Sequence, residues 1–310
     1  VEIRSERPAD THDRSEQYSG RLLAFVAGAS ITKICLAGDE IFAGCLDGRI
    51  LRIDGRTGRV LAQIPAHTSG VIDIVRMDGA QFLTSGADGA LVLTDFAAGQ
   101  VVARYRLPAG EYGTALVRSS AEEPRVLVGT KGGGLHLLAL PGFSLLAARS
   151  HDAPVWGLVM TGKDSCLAAD GKGRVLQVSL DQDLKVSGTF DAHRISVEAV
   201  AFQRAAGVFA TVSRDRLVKL WSLPLSLLPR HTMRGHADSV LTAAFSHDGG
   251  LLYTAGWDCA VYVWKVDSGE LVDVIRAHTR PIQSVAAVPE GVLTSSLDGS
   301  IKIWKKKEKV

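Results

Sequence analysis

The sequence has little with which to build a disulfide framework or a membrane span. Its 310 residues contain four cysteines, Cys35, Cys45, Cys166 and Cys259, with no CxxC spacing. That is too few and too scattered for a secreted domain held by disulfides. They read as reduced, mostly buried thiols of an intracellular protein, cytoplasmic by expectation with the nucleus as the alternative. No apolar run is long enough to span a bilayer, and residues 1–18 lack the apolar stretch of a signal peptide, so no membrane insertion is expected. Net charge is almost absent as well. Thirty-five basic against 33 acidic residues leave +2, which gives no electrostatic ground for nucleic acid as the main partner. The one basic run, KKKEK at 305–309, reads as a solubilising terminus. Sustained helical periodicity is missing too, which leaves strands to carry the fold. What the chain does have is apolar residues, 46% against 22% charged, enough for a large core. It begins at Val1 without a methionine, which leaves open whether it is a fragment of a larger protein.

Five of the nine histidines stand at 67, 151, 193, 236 and 278, at gaps of 84, 42, 43 and 42. The first gap is twice the others, so the chain repeats. After each of these histidines come short alternating stretches separated by Gly and Asp turns, such as VLTAAF, LLYTAG and AVYVW after His236. Period-two alternation broken in this way means antiparallel strands. The intervening sequence on the same period adds repeats near Gly28 and Pro108, seven in all. A fourth strand follows the third in each, as in ELVDVI at 270–275. The seventh repeat stops after its third strand at Trp304, and GRLLAFVA at 20–27 has no other partner. The N-terminal strand is therefore predicted to complete the last repeat and close a ring, which protects sheet edges.

These features resemble the WD-repeat family. The family pattern of a Gly-His pair, an Asp in a tight turn and a Trp ending the third strand is best kept in RGHADSV and TAGWDCAVYVW. The resemblance covers about residues 19–310 and implies an all-β, seven-bladed β-propeller with four antiparallel strands per blade. Residues 1–18, polar and mixed in charge, are expected to form a disordered arm or linker. The chain departs from the pattern in places: Gly235-His236 is the one full Gly-His pair, and no Trp is followed by Asp. The third repeat carries Gly132 where the turn Asp belongs, and the fourth has Asp170 two places early, with Lys172 at the expected position.

The resemblance also implies a buried network of histidine, hydroxyl, turn carboxylate and strand-ending indole. Three repeats hold all four: His193, Thr211, Asp215, Trp221; His236, Thr254, Asp258, Trp264; and His278, Thr294, Asp298, Trp304. The second keeps His67, Thr84 and Asp88 with Thr94 in place of Trp. Histidine, aspartate and a hydroxyl are also the parts of a catalytic triad, but a triad is needed once, whereas this set recurs around a ring. The structural reading is preferred. The periodic histidines are too far apart to share an ion and have no second ligand at a useful spacing, so no metal and no cofactor are expected.

By the same resemblance, one open face of the ring is lined by residues flanking the start of each inner strand and by the residue before the turn Asp. Repeat by repeat these are Ser30, Thr32 and Leu46; Gly70, Ile72 and Ala87; Glu111, Gly113 and Lys131; Pro154, Trp156 and Gly171; Ser196, Glu198 and Arg214; Ser239, Leu241 and Trp257; and Pro281, Gln283 and Leu297. Two tryptophans and several aliphatics there predict a face that docks a protein or peptide by an apolar anchor, since tryptophans dominate desolvated interface centres. Trp257, Leu241, Trp156, Ile72, Leu46 and Leu297, with the charges of Arg214 and Glu198, are the candidate contacts. A phosphopeptide reader would need an arginine cluster, and these positions offer Arg214 and Lys131. The expected function is a non-enzymatic interaction scaffold or adaptor in a multiprotein complex. The alternatives are a propeller hydrolase with a central-channel site, for which Glu111 and Glu198 are the carboxylates on offer, and the binding module of a larger multidomain protein.

Overall fold

Short alternating segments bury one face at every second residue, and segments buried on both faces lose the alternation. Both kinds occur here. In a computed structural model, which describes residues 17–26, 29–119 and 124–307, 28 strands form seven four-stranded antiparallel sheets. In blade 1 the strands are Ile31–Ala37, Glu40–Cys45, Arg49–Asp54 and Val60–Pro65, paired in that order from the inside outward. The inner strands of the other blades are Val71–Arg76, Gly113–Arg118, Val155–Met160, Val197–Gln203, Val240–Phe245 and Ile282–Val288. Each touches the next, and the seventh touches the first, so the ring is closed. No helix among the described residues is long and apolar enough to cross a membrane.

The core lies between blades. Phe42 of blade 1 stacks on Phe82 of blade 2 with ring centroids 3.8 Å apart, and Phe96 packs edge-on against Phe42. Ile31, Ile41, Leu51 and Ile53 of blade 1 pack with Leu293, Ile301 and Ile303 of blade 7. Seven such clusters bind the blades in sequence around the ring.

The last blade is completed by the first strand, Tyr18–Phe25, which pairs antiparallel with Ser300–Lys306 from Tyr18 opposite Lys306 to Phe25 opposite Ser300. The strand starts one residue before the expected boundary at 19. Gly20 lies opposite Trp304, and a Cβ there would stand 2.2 Å from the indole, so only glycine fits beneath the ring. Of the expected arm, residues 1–16 lie outside the described residues, as does Gly28, near which the first repeat was placed. The prolines of SLPLSLLPRH leave blade 5 an outer strand of four residues, His231–Arg234, with Leu227 and Leu228 exposed on the loop before it.

Each inner strand carries a β-bulge one residue after it begins. The register skips Thr32, Ile72, Thr114, Trp156, Glu198, Leu241 and Gln283 in blades 1 to 7. A bulged residue is freed from the ladder and its side chain re-aimed. These seven residues all stand at one end of the ring.

Candidate functional site

In an antiparallel blade the loop leading into the inner strand and the turn joining the second and third strands lie at the same end. One backbone bond ties them together in every blade. Leu46 N–H donates to Ser30 O, Ala87 to Gly70, Lys131 to Tyr112, Gly171 to Pro154, Arg214 to Ser196, Trp257 to Ser239 and Leu297 to Pro281. This end is the top face expected from the sequence. In blade 3 the bond corrects the expected alignment by one residue: Tyr112 and Thr114, not Glu111 and Gly113, flank the start of the inner strand.

Under the top face lies the network. In blade 5, His193 Nδ1 is 3.0 Å from Asp215 Oδ2, His193 Nε2 is 2.8 Å from Thr211 Oγ1, and Trp221 Nε1–H donates to that hydroxyl at 2.9 Å. An indole can only donate, so the threonine oxygen accepts from it and links it to the imidazole. On the other side of the ring Nδ1–H donates to the carboxylate. His236, Asp258, Thr254 and Trp264 repeat the set at 2.8 Å for all three links. His278, Asp298, Thr294 and Trp304 repeat it at 2.9, 2.7 and 3.1 Å. In blade 2, His67 keeps Asp88 and Thr84, and Thr94 gives its hydroxyl hydrogen to Phe82 O. In all four blades the carboxylate also accepts the backbone N–H of the residue after the histidine, Thr68, Arg194, Ala237 or Thr279. The aspartate thus staples the loop from the preceding blade to the turn of its own. The four histidine side chains are fully enclosed, which leaves no access for a substrate.

Burial pushes the Asp215 carboxyl up, but the hydrogen bond and charge of His193 and the amides of Leu217 and Arg194 outweigh it and bring it down to about 2. Asp298 and Asp88 are held below the usual carboxylate range against the same burial, by His278 and Ser300 and by the amides of Thr68 and Ala90 with His67. Burial draws His67 below its ordinary value, against the pull of Asp88. A carboxylate lowered on folding stabilises fully above its unfolded value near 4 and loses that contribution as pH falls through the folded one; for Asp215 this is roughly 2 kcal/mol. A histidine lowered on folding stabilises above about pH 6.5 and surrenders the contribution as pH falls. Urea unfolding midpoints are therefore expected to start declining near pH 6.5 and to drop steeply from about pH 4 to 2. Asp215→Asn should begin less stable and decline less over the lower interval; an unchanged acid limb would remove Asp215 from this account.

Blades 3 and 4 solve the same problem with other residues. In blade 3 the Glu111 carboxylate accepts the N–H of Gly132 at 2.8 Å and caps the turn, and a Cβ at Gly132 would meet that carboxylate at 1.7 Å. The missing turn Asp is thus replaced from the neighbouring loop. In blade 4, Asp170 is the functional counterpart of the turn Asp: His151 Nε2 lies 2.8 Å from its Oδ2, and Arg174 Nε–H donates to the same oxygen at 2.7 Å. The ligand atoms of His151, Asp152 and Asp170 stand within 4.8 Å of one another, a grouping the sequence spacing did not reveal. The Arg174 guanidinium bonds to both carboxylates and lies 2.9 Å from His151 Nε2, so an arginine already supplies the positive charge a cation would bring. The sequence also missed buried Asp73 of blade 2, which accepts the Leu116 amide of blade 3 at 2.8 Å and pairs with Lys33 of blade 1 at 3.2 Å. It holds three blades together from the inner edge.

On the top face itself, Trp257 is 52% exposed and Leu46 56%, while Leu241, Leu297 and Ile72 are half-buried. Because the ring is closed, blades 6, 7, 1 and 2 are neighbours, and these five residues form one apolar arc. Ser30 of blade 1 donates to Leu297 O of blade 7 at 2.9 Å and stitches its middle. Trp156 stands apart on blade 4, half-buried over Pro154 and Gly171. Arg214 Nε–H donates to Glu198 at 2.7 Å, so those charges satisfy each other. The Lys131 ammonium lies 5.3 Å from the centre of the Tyr112 ring. Both carboxylates proposed for channel chemistry, Glu111 and Glu198, are thus engaged in local bonds.

The WD domain, G-beta repeat family (WD40), matches residues 184–222, 228–265 and 269–305, each covering the outer strand of one blade and the three inner strands of the next, from blade 4 into 5, 5 into 6 and 6 into 7. Among curated proteins, the DENN domain and WD repeat-containing protein SCD1 of Arabidopsis thaliana is 27% identical over 164 residues, 52% of this chain and 13% of that protein. Human apoptotic protease-activating factor 1 is 31% identical over 147 residues, 42% of this chain and 12% of its own length. Mouse telomerase protein component 1 is 25% identical over 312 residues, covering 93% of this chain and 12% of that protein. The match thus spans only about an eighth of each of these relatives.

Proposed function

The chain is a WD-repeat protein folded as a seven-bladed β-propeller, and from that premise we propose that it is a non-enzymatic interaction scaffold that docks a protein or peptide on its top face. WD-repeat propellers as a class serve as interaction scaffolds. The observation that carries the reading here is Trp257, a large indole left more than half exposed among aliphatic neighbours on adjacent blades. Burial of such a side chain in an interface contributes roughly 2 kcal/mol or more. The histidines and carboxylates of the blade network, with Glu111 and Glu198, are committed to bonds within and between blades, which favours binding over turnover. The small share of each relative that the chain covers fits a binding module of a longer protein.

The test is affinity capture with the wild-type chain and a Trp257→Ala, Leu241→Ala double variant whose circular dichroism and melting are unchanged. Loss of a defined set of proteins from the variant is expected, with affinity for a purified member falling about 30-fold or more. Retention of the same proteins by both forms would move recognition off this arc.

A further inference from the structure

The apolar arc ends at blade 6, and beside it the outer corner of blade 5 is crowded with arginines. Arg194 lies in the loop entering blade 5, Arg216 follows the turn Asp215, and Arg234 ends the outer strand; all three are exposed. The fold fixes them together. Arg194 N–H donates to Asp215 Oδ2 at 3.3 Å, Arg216 is the next residue after that aspartate, and Arg234 pairs in register with Leu217. Lys219 of the adjoining strand turns inward instead, giving its ammonium to Ala192 O at 2.5 Å. Burial lowers the Lys219 pKa; Asp215 opposes this, while Arg234 and Arg194 add to it, so the two guanidinium groups are felt at the lysine.

Among the described residues no carboxylate pairs with the side chain of Arg194, Arg216 or Arg234, whereas on the same face Arg214 is matched to Glu198, Arg174 to Asp170 and Asp152, Lys172 to Asp152 and Arg49 to Asp47. Of the acids nearby along the chain, Asp215 is spent on His193, and Asp191 and Asp238 remain exposed. The corner is therefore positive. It is also continuous with the apolar arc, because two residues after Arg234 comes His236, which bonds Asp258, the neighbour of Trp257. Guanidinium groups present paired donors that match carboxylates, and unpaired ones at an interface rim select and steer acidic partners.

We propose that the partner segment is acidic: a peptide whose apolar residue covers Trp257 and Leu241 and whose adjoining aspartates or glutamates are held by Arg194, Arg216 and Arg234. This rests on the top-face reading above and adds the partner's charge and its direction of travel, from blade 6 outward over blade 5. The preference would come from this local cluster, since the chain as a whole carries only +2.

The test is selection of a display library of random short peptides on the full chain at physiological salt. Enrichment of an aromatic or aliphatic residue next to several acids is expected, with Arg216→Glu, Arg234→Glu abolishing the acidic preference and Trp257→Ala abolishing the apolar one. A selected peptide should bind that double arginine variant about tenfold more weakly or worse. Enrichment of apolar residues without acids would overturn the acidic partner and leave the top-face reading standing. Enrichment of acids without an apolar residue would overturn the composite site by removing the anchor, and no enrichment would overturn both. A single-stranded oligonucleotide retained at the same salt, and lost with the arginine variant, would overturn the assignment in favour of a nucleic-acid phosphate backbone.

Discussion

A Trp264→Ala variant is expected to lose about 3–5 kcal/mol of stability, whereas Trp257→Ala, seven residues earlier, should change it by less than about 0.5 kcal/mol. Both tryptophans sit in the stretch TAGWDCAVYVW, so the contrast isolates environment from local sequence. Trp264 is 2% exposed, stacks on Tyr262 with centroids 5.8 Å apart and fills the space between blades 5 and 6. Its removal opens a cavity and leaves the Thr254 hydroxyl without its indole donor at 2.8 Å. Trp257 is more than half exposed and, among the described residues, has no side-chain hydrogen bond to lose. Urea denaturation of the two variants under one condition decides the matter, and equal losses would mean that Trp257 is a packing residue.

Deletion of residues 1–25 is expected to abolish a stable monomer. The closing strand contributes the ladder from Tyr18 to Phe25 and buries Tyr18, Leu23 and Ala24. A fully buried large apolar side chain stabilises by roughly 1.5–3 kcal/mol. Losing the strand therefore removes a large part of the 5–15 kcal/mol that is typical of a native protein. It also bares Ser300–Lys306 as an open edge able to pair with another chain. Size-exclusion chromatography should show oligomers or aggregate, and a peptide of residues 17–26 added in trans should restore monomer. A monodisperse, fully folded truncated chain would show that the inter-blade clusters close the ring unaided.

The ring and its closure were legible because histidines and tryptophans punctuate the sequence at the blade period. Where a blade keeps its function with other residue types, the pattern gives no warning. Asp170 looks misplaced until Arg174 is seen to bridge it to His151, and Glu111 looks like a free carboxylate until it is found capping Gly132. In blade 3 the Gly113-Thr114 pair carries no clear alternation, and the register is set by the Lys131 to Tyr112 backbone bond, which the sequence does not display. The arc from Trp257 to Ile72 was only partly legible. Its members fall at recognisable places in the repeat, but their adjacency depends on blade 7 meeting blade 1. Arg216 and Arg234 carry no such signal, because they stand after a turn Asp and at the end of an outer strand, away from the starts of the inner strands that mark the face.

The bond between the first strand and the last also sets a clock. Tyr18 must wait for Lys306, nearly the whole length of the chain away. At typical translation rates the opening strand spends about 15 to 60 seconds outside the ribosome before its partner is made. Throughout that interval Leu23 and Ala24 lack the blade 7 side of their seat, and by its end six finished blades stand as an open spiral. A chaperone that shelters this nascent strand, or a pause before its partner is made, would act on this one contact more than on any other.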